Sequence, residues 1–356
     1  MPRIEVLTNT ALMAKRRCDE RFRLGYLERL EPRAERPALT IGSAIHAGIE
    51  HSDPQRAGDE LRIATGETWT IDDADRLDFR VAVVEELTRG ALAFWSSWPE
   101  IREEVFEIAL RNPATGAAST THRLSGRWDG FWWDRRFGVV SSGGEFGFEY
   151  APALLEIKTT TRLGEDYVRR LQLELQPTLY MAAASEKYEV VVRRAVYRII
   201  RKPGIRPTKG ESEVEYRERC EQRAPLPPLK QRKSESDDEY RERSATREAA
   251  RAPLSRKHPE TPDEYRARLR ADVESRPDWY FAEVVVERSD EQIERMLAEV
   301  WEEHRRILAI ERGEMTIRNT GSCLDYGRCE FFDLCTGAVG VEAYRVREHA
   351  HPELED

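Results

Sequence analysis

The chain has 356 residues, 35% of them charged, and a net charge of −9, with a mean hydropathy of −0.68. Its 40% apolar content and eight Trp supply a core of real size and exclude wholesale disorder. No charge-free apolar run is long enough to span a membrane, and the acidic balance argues against non-specific coating of nucleic acid, though not against a local basic groove. The first eighteen residues lack the apolar stretch of a signal peptide, so a cytosolic (cytoplasmic) protein is expected; there, five cysteines point to ligands rather than to a disulfide framework.

In chain order, residues 8–28 and 40–51 predict helices. Residues 74–97 predict a long amphipathic helix, with Leu77, Val81, Val84, Leu87, Leu92 and Trp95 recurring near every third or fourth position. Strand-like runs follow at 103–111, 121–133 and 152–160, then a helix at about 165–186 and a Val- and Ile-rich strand from Tyr188 to Ile200. Residues 279–287 predict a strand, and 289–312 a helix capped by Ser289 and Asp290. Helices followed by strands, then helix and strand alternating, define a mixed α/β domain.

Residues 201–276 interrupt it. They hold 20 Lys+Arg, 16 Asp+Glu and 8 of the 18 prolines, and they repeat: Glu215-Tyr216-Arg217-Glu218-Arg219 returns as Glu239-Tyr240-Arg241-Glu242-Arg243 and as Glu264-Tyr265-Arg266-Ala267-Arg268. Each unit has too few apolar residues for a core of its own. The stretch reads as a charged, repetitive surface insertion between residues 1–200 and 277–340, with 341–356 as a tail. A solvated charged face explains its composition; so does a basic arm on a nucleic-acid backbone.

The chemistry concentrates in Leu154-Leu155-Glu156-Ile157-Lys158-Thr159. In a strand Glu156 and Lys158 share one face, with Leu155 and Ile157 turned to the core, and charges on so apolar a strand need a partner or a metal. Asp129, in Ser125-Gly126-Arg127-Trp128-Asp129-Gly130, offers a second carboxylate from a neighbouring strand; two carboxylates and a Lys suit Mg²⁺ or Mn²⁺. His46 and Glu50 lie one turn apart on a helix in Gly42-Ser43-Ala44-Ile45-His46. Gln172, Gln176 and Tyr180 follow on the next helix.

In this order the motifs resemble the RecB-type branch of the PD-(D/E)XK nuclease superfamily, which includes the nuclease domains of RecB and AddB, the CRISPR adaptation nucleases and phage-encoded nucleases. His46 matches the G-x-x-x-H motif, Asp129 the D motif, Glu156 and Lys158 the E-x-K motif, and Gln176-Pro177-Thr178-Leu179-Tyr180 the Q-x-x-x-Y motif. Pro177 inside the last motif should kink or start its helix, leaving Gln172 as the substitute for Gln176. The resemblance covers about residues 8–200 and 279–336. It implies a restriction-endonuclease-like mixed sheet flanked by helices, and metal-dependent hydrolysis of DNA, from an end or on single strands. Mg²⁺ or Mn²⁺ would be held by His46, Asp129, Glu156 and the Ile157 carbonyl. Lys158 would orient water and stabilise developing charge, and Gln176 and Tyr180 would line the groove and contact DNA. A helicase or other processing protein is the implied partner.

Cys323, Cys329 and Cys335 fall in thirteen residues, with Cys18 near the other end of the chain and Cys220 in the insertion. Four thiolates suit zinc or a [4Fe–4S] cluster. A subset of the RecB-type branch has one cysteine before the nuclease motifs and three after, which implies a [4Fe–4S] staple on Cys18, Cys323, Cys329 and Cys335. The first gap, five residues here, is normally two, so Cys323 departs from that pattern.

Trp128, Phe131, Trp132 and Trp133 surround Asp129 and could stack on unpaired bases, with Trp128 and Trp132 the better candidates for core filling; Phe94, Trp95 and Trp98 read as helix packing. Two other functions fit parts of the sequence. One is a weakly active or inactive DNA-binding subunit of a larger complex, docked through the insertion. The other is a zinc-stapled structural protein.

Overall fold

The computed structural model describes residues 5–33, 37–65, 71–134, 151–222, 229–249, 254, 256–325 and 327–354. In chain order the elements are β1 (Val6–Leu7), α1 (Asn9–Arg17), α2 (Asp19–Phe22), β2 (Leu30–Pro32), α3 (Pro37–Glu50), α4 (Pro54–Thr65), α5 (Ile71–Phe94), β3 (Ile101–Arg111), β4 (Ala118–Asp134), β5 (Ala151–Thr160), α6 (Glu165–Leu171), α7 (Leu175–Tyr188) and β6 (Arg194–Arg201). Residues 201–276 contribute α8 (Glu213–Glu221), α9 (Asp237–Ala249) and α10 (Pro262–Ser275), and α10 departs from the expected surface face, since its Tyr265, Leu269 and Val273 are buried in the core beside α5. The chain returns through α11 (Pro277–Tyr280), β7 (Phe281–Glu287), α12 (Asp290–Glu311), α13 (Phe332–Thr336) and β8 (Tyr344–Val346).

Six strands form one mixed sheet, in the order β1-β4-β5-β6-β7, with β3 also paired to β4. The β1–β4 and β5–β6 pairs are parallel and the rest antiparallel. The expected sheet between helices is therefore present. One face carries a core of Leu12, Leu124, Leu154, Leu179, Met181, Val300 and Ile307, which joins α1, α7 and α12 to the sheet. The other joins Ile45, Ile49, Leu61, Val81, Val84, Leu155 and Ile157 beneath α3, α4 and α5. Leu154 and Leu155 thus face opposite cores, as strand alternation requires. Burial of β5 on both faces explains its near-continuous apolar sequence.

The helices end where the local chemistry tells them to. Ser289 caps α12 in a reciprocal box with Gln292, as the Ser289 reading anticipates, and Ile293, Met296, Val300, Ile307 and Ile310 are buried at helical spacing. Several elements differ from the sequence reading, and the helix expected at about 165–186 is two, α6 and α7, parted at residues 172–174. The helix expected over 8–28 is broken: Cys18 is extended between α1 and α2, and residues 23–27 form a π-helical turn. The strand expected from Tyr188 starts at Arg194, because α7 runs on to Tyr188 and stops at Glu189 in the left-handed conformation. The helix α4 and the short strand β1 are absent from the sequence reading, although Ala57, Leu61 and Thr65 of α4 are buried at helical spacing. The C-terminal segment expected as a tail includes β8, which pairs antiparallel with β2.

Of the aromatic cluster at Asp129, Trp128 is fully buried and stacks on Phe106. Phe131, open to base stacking in the sequence reading, is also core: it is 3% exposed and stacks on Tyr188. Trp133 is half exposed. Trp95, Trp98 and Trp132 close around the buried guanidinium of Arg198.

Candidate active site

The site lies where two strands part. The described β4–β5 pairing runs from Asp134↔Ala151 to Gly130↔Leu155. One residue further, the Asp129 carboxylate accepts the Ile157 N–H. A side chain thus takes the donor that a continued ladder would have used. Glycine on either side makes the fork possible. A Cβ at Gly130 would stand 2.5 Å from Pro99, and one at Gly126 would stand 2.8 Å from Phe106 and Tyr180.

On one side of the fork, His46 Nδ1 from α3 is 3.3 Å from Asp129 Oδ1. A third ligand joins them that the sequence reading missed. Glu103 of β3 lies between the Arg102↔Gly130 and Glu104↔Trp128 pairs, so it faces Asp129 across the strands. Glu103 Oε1 is 4.0 Å from His46 Nδ1. His46, Glu103 and Asp129 offer three ligand atoms within 4.8 Å of one another. Facing carboxylates repel, and Glu103 has a backbone φ of +38°, a region that side chains avoid. Its place opposite Asp129 depends on the β3–β4 register, which the sequence alone does not set.

On the other side, Glu156 is 1% exposed. Its Oε2 accepts from Lys158 Nζ at 3.3 Å and from Gln176 Nε2 at 2.9 Å, and Lys158 also donates to Gln176 Oε1 at 2.7 Å. Glu156 Oε1 is buried with no hydrogen-bond partner among the described residues, an orphan acceptor that a cation would satisfy. Burial pushes the Glu156 carboxyl up to about 8, with Asp129 adding to the rise and Lys158 opposing it. Burial works against the charge on Lys158, yet Glu156 and Asp129 outweigh it and raise the ammonium above its ordinary value. Burial likewise disfavours charge on His46, and Asp129 and Glu103 outweigh it. Asp129 ends below the usual carboxylate range: burial raises it, and His46 and Lys158 more than compensate. Two acids of opposite tendency therefore share the fork.

Gln176 occupies the second position of α7, and Pro177 the third, where its missing N–H has no helical partner to lose. Pro177 starts the helix rather than kinking it, and Gln172 donates instead toward the Val285 carbonyl at 3.5 Å. Tyr180 departs from its expected place in an open groove. It is 5% exposed and packs edge-on against Phe106, so it supports the site from beneath.

Elsewhere, Cys18, Cys323, Cys329 and Cys335 all line one cavity of about 240 Å³, together with Arg21, Arg318 and Phe331. Burial raises the thiols of Cys329 and Cys335; charge on Cys323 adds to the first, and charge on Cys329 and Cys18 to the second. Cys220 is exposed on α8.

Comparison with known proteins gives the chain a family. The model of the PD-(D/E)XK nuclease superfamily matches residues 6–336, and the chain belongs to that superfamily. A crystal structure from Eubacterium rectale, described as that of a "putative exonuclease", is similar over 94% of each chain, with 11% sequence identity and a TM-score of 0.43. No curated protein matches. Among the described residues, no helix is long and apolar enough to cross a membrane.

Proposed function

We propose that this member of the nuclease superfamily is a Mg²⁺- or Mn²⁺-dependent deoxyribonuclease of the RecB-like branch, acting from DNA ends or on single strands in recombination, repair or phage DNA processing. The observation that carries the reading is the fork itself: Asp129, Glu156 and Lys158 converge from parted strands, with His46 and Glu103 closing one side. The buried orphan oxygen of Glu156 and the three-ligand group at His46 fit a hard cation. His46, Glu103, Asp129, Glu156 and the Ile157 carbonyl would hold it. The ion would activate water and neutralise charge on the scissile phosphate. Lys158, kept charged by its two carboxylates, would orient the attacking water and meet charge that develops in the transition state. Gln176 holds Lys158 and Glu156 at once, which fixes the Lys rotamer. Tyr180 positions this assembly from the core.

We further propose a nuclease domain made of residues 1–200 and 277–340, crossed by the 201–276 insertion, and a [4Fe–4S] cluster on Cys18, Cys323, Cys329 and Cys335. The shared cavity supports the cluster.

The test is end-labelled single- and double-stranded DNA with Mg²⁺, with Mn²⁺ and with chelator. Metal-dependent loss of one label ahead of the other supports an end-acting nuclease. Cleavage that persists in chelator removes the metal from the account.

A further inference from the structure

The three insertion units share more than their Glu-Tyr-Arg motif. In each, an Arg folds back onto a Glu eight residues earlier: Arg219 on Glu211 at 2.5 Å, Arg243 on Glu235 at 2.6 Å and Arg268 on Glu260 at 2.7 Å. In each, a Ser or Thr after that Glu caps the helix and receives a bond back: Ser212 with Glu215, Ser236 with Glu239, Thr261 with Glu264. In each, the Tyr hydroxyl donates to the backbone carbonyl of a Leu or Ile that opens a leader segment. The leaders begin at Ile205, Leu229 and Leu254, each eleven residues ahead of its own unit's Tyr.

Which leader each helix holds differs between units. The middle unit closes on itself: Tyr240 donates to the Leu229 carbonyl at 2.9 Å, Arg243 to Lys230 at 3.1 Å, and the Glu235 N–H to Arg232 at 3.0 Å. The outer units trade. Tyr265 of the third holds Ile205 of the first at 3.1 Å, and Tyr216 of the first holds Leu254 of the third at 2.6 Å. The turn bonds trade as well: Glu260 N–H donates to Thr208 at 3.0 Å and Glu211 N–H to Lys257 at 2.9 Å. These are the contacts of the closed unit made reciprocally. The two hinges touch at Gly210 and Pro259, where a Cβ on the glycine would meet the proline ring at 2.7 Å. The middle unit has Ser234 at that position.

One chain thus displays a closed unit and an exchanged, two-fold-like pair of units. We propose that the middle unit is a self-association module: two copies of this chain trade their 229–233 leaders, as units one and three trade theirs. The outer pair is fixed to the body, since Tyr265, Leu269 and Val273 are buried beside α5 and Arg270 pairs with Glu86 at 2.8 Å. The middle unit has no buried residue among those described, so its leader and its helix are both accessible. Exchange preserves every bond of the closed form, and only the hinge changes, so concentration and hinge stiffness decide the balance.

Sedimentation of the full chain over a wide concentration range tests this, with two variants. Ser234→Pro gives the middle hinge the residue that the third unit uses when open, where a fixed φ favours extension. It is expected to tighten dimerisation at least about tenfold over wild type. Arg243→Ala removes a bond that the closed and exchanged forms hold alike, so it is the control and is expected to leave the dissociation constant within about twofold of wild type. A Ser234→Pro chain that is folded by circular dichroism yet monomeric at every concentration overturns the proposal. So does a dimer that Ser234→Pro does not tighten.

Discussion

Glu103 shows most clearly what one residue adds to this site. Its carboxylate faces Asp129 across two strands and approaches His46, an arrangement that costs energy until a cation is present. Glu103→Gln keeps the backbone pairing of β3 and β4 and is expected to raise the Mg²⁺ concentration for half-maximal cleavage at least about tenfold; an unchanged metal requirement would remove Glu103 from the ligand set. Gly130 is a second such residue. Its replacement by Ala pushes a methyl to within 2.5 Å of Pro99, an overpacking that costs about 1–3 kcal/mol. A lower denaturation midpoint at unchanged slope is expected, and an unchanged midpoint would show that Pro99 yields freely. His46, Asp129, Glu156, Lys158 and Gln176 were legible in the sequence because their spacing carries motif information. Glu103 was not, because only strand register brings it to Asp129. Tyr180 was legible as a motif member but not as a buried one, because burial is decided by Phe106 on another strand.

At the level of elements, α12 carries a titratable group deep in the structure. His304 is 3% exposed, and its Nε2 lies 3.1 Å from Thr121 Oγ1 and 3.2 Å from Ser119 Oγ, both on β4. Burial, with nearby His122 reinforcing it and Glu311 opposing it, drops its imidazolium to about 4. The unfolded chain therefore takes up a proton between about pH 6.5 and 4 that the native chain refuses, so stability from this group is full above that window and falls as pH drops through it. His304→Asn is expected to flatten this part of the stability–pH curve in thermal unfolding; equal slopes would assign the acid sensitivity elsewhere. The sequence showed α12 and its cap, since both are local signals. It did not show the break at Cys18 or the length of α7. The first is an extended residue between two helical segments, and α7 ends at Tyr188, which stacks on Phe131 of β4, a tertiary contact.

Across the whole molecule, the four cysteines bring the two ends of the chain into one cavity. Arg21 to Glu330 at 2.8 Å, Arg306 to Asp19 at 2.9 Å and the β2–β8 pairing join the same ends. A cluster there would bind the native state alone and so stabilise it. Cys335→Ala is expected to lose iron and visible absorption after anaerobic purification and to lower the unfolding temperature. Full iron content in that variant would move the cluster off Cys335. The site at the fork and the proposed staple lie in different parts of the fold, so loss of the cluster should act on stability before it acts on chemistry. The most direct test of the central claim is cleavage of end-labelled DNA by the wild type beside Lys158→Ala, at matched DNA occupancy and with Mg²⁺ or Mn²⁺. The fork geometry predicts binding retained and a cleavage rate lower by about 10²–10³-fold; equal rates would contradict it, and would take the Asp129, Glu156 and Lys158 fork out of the chemistry.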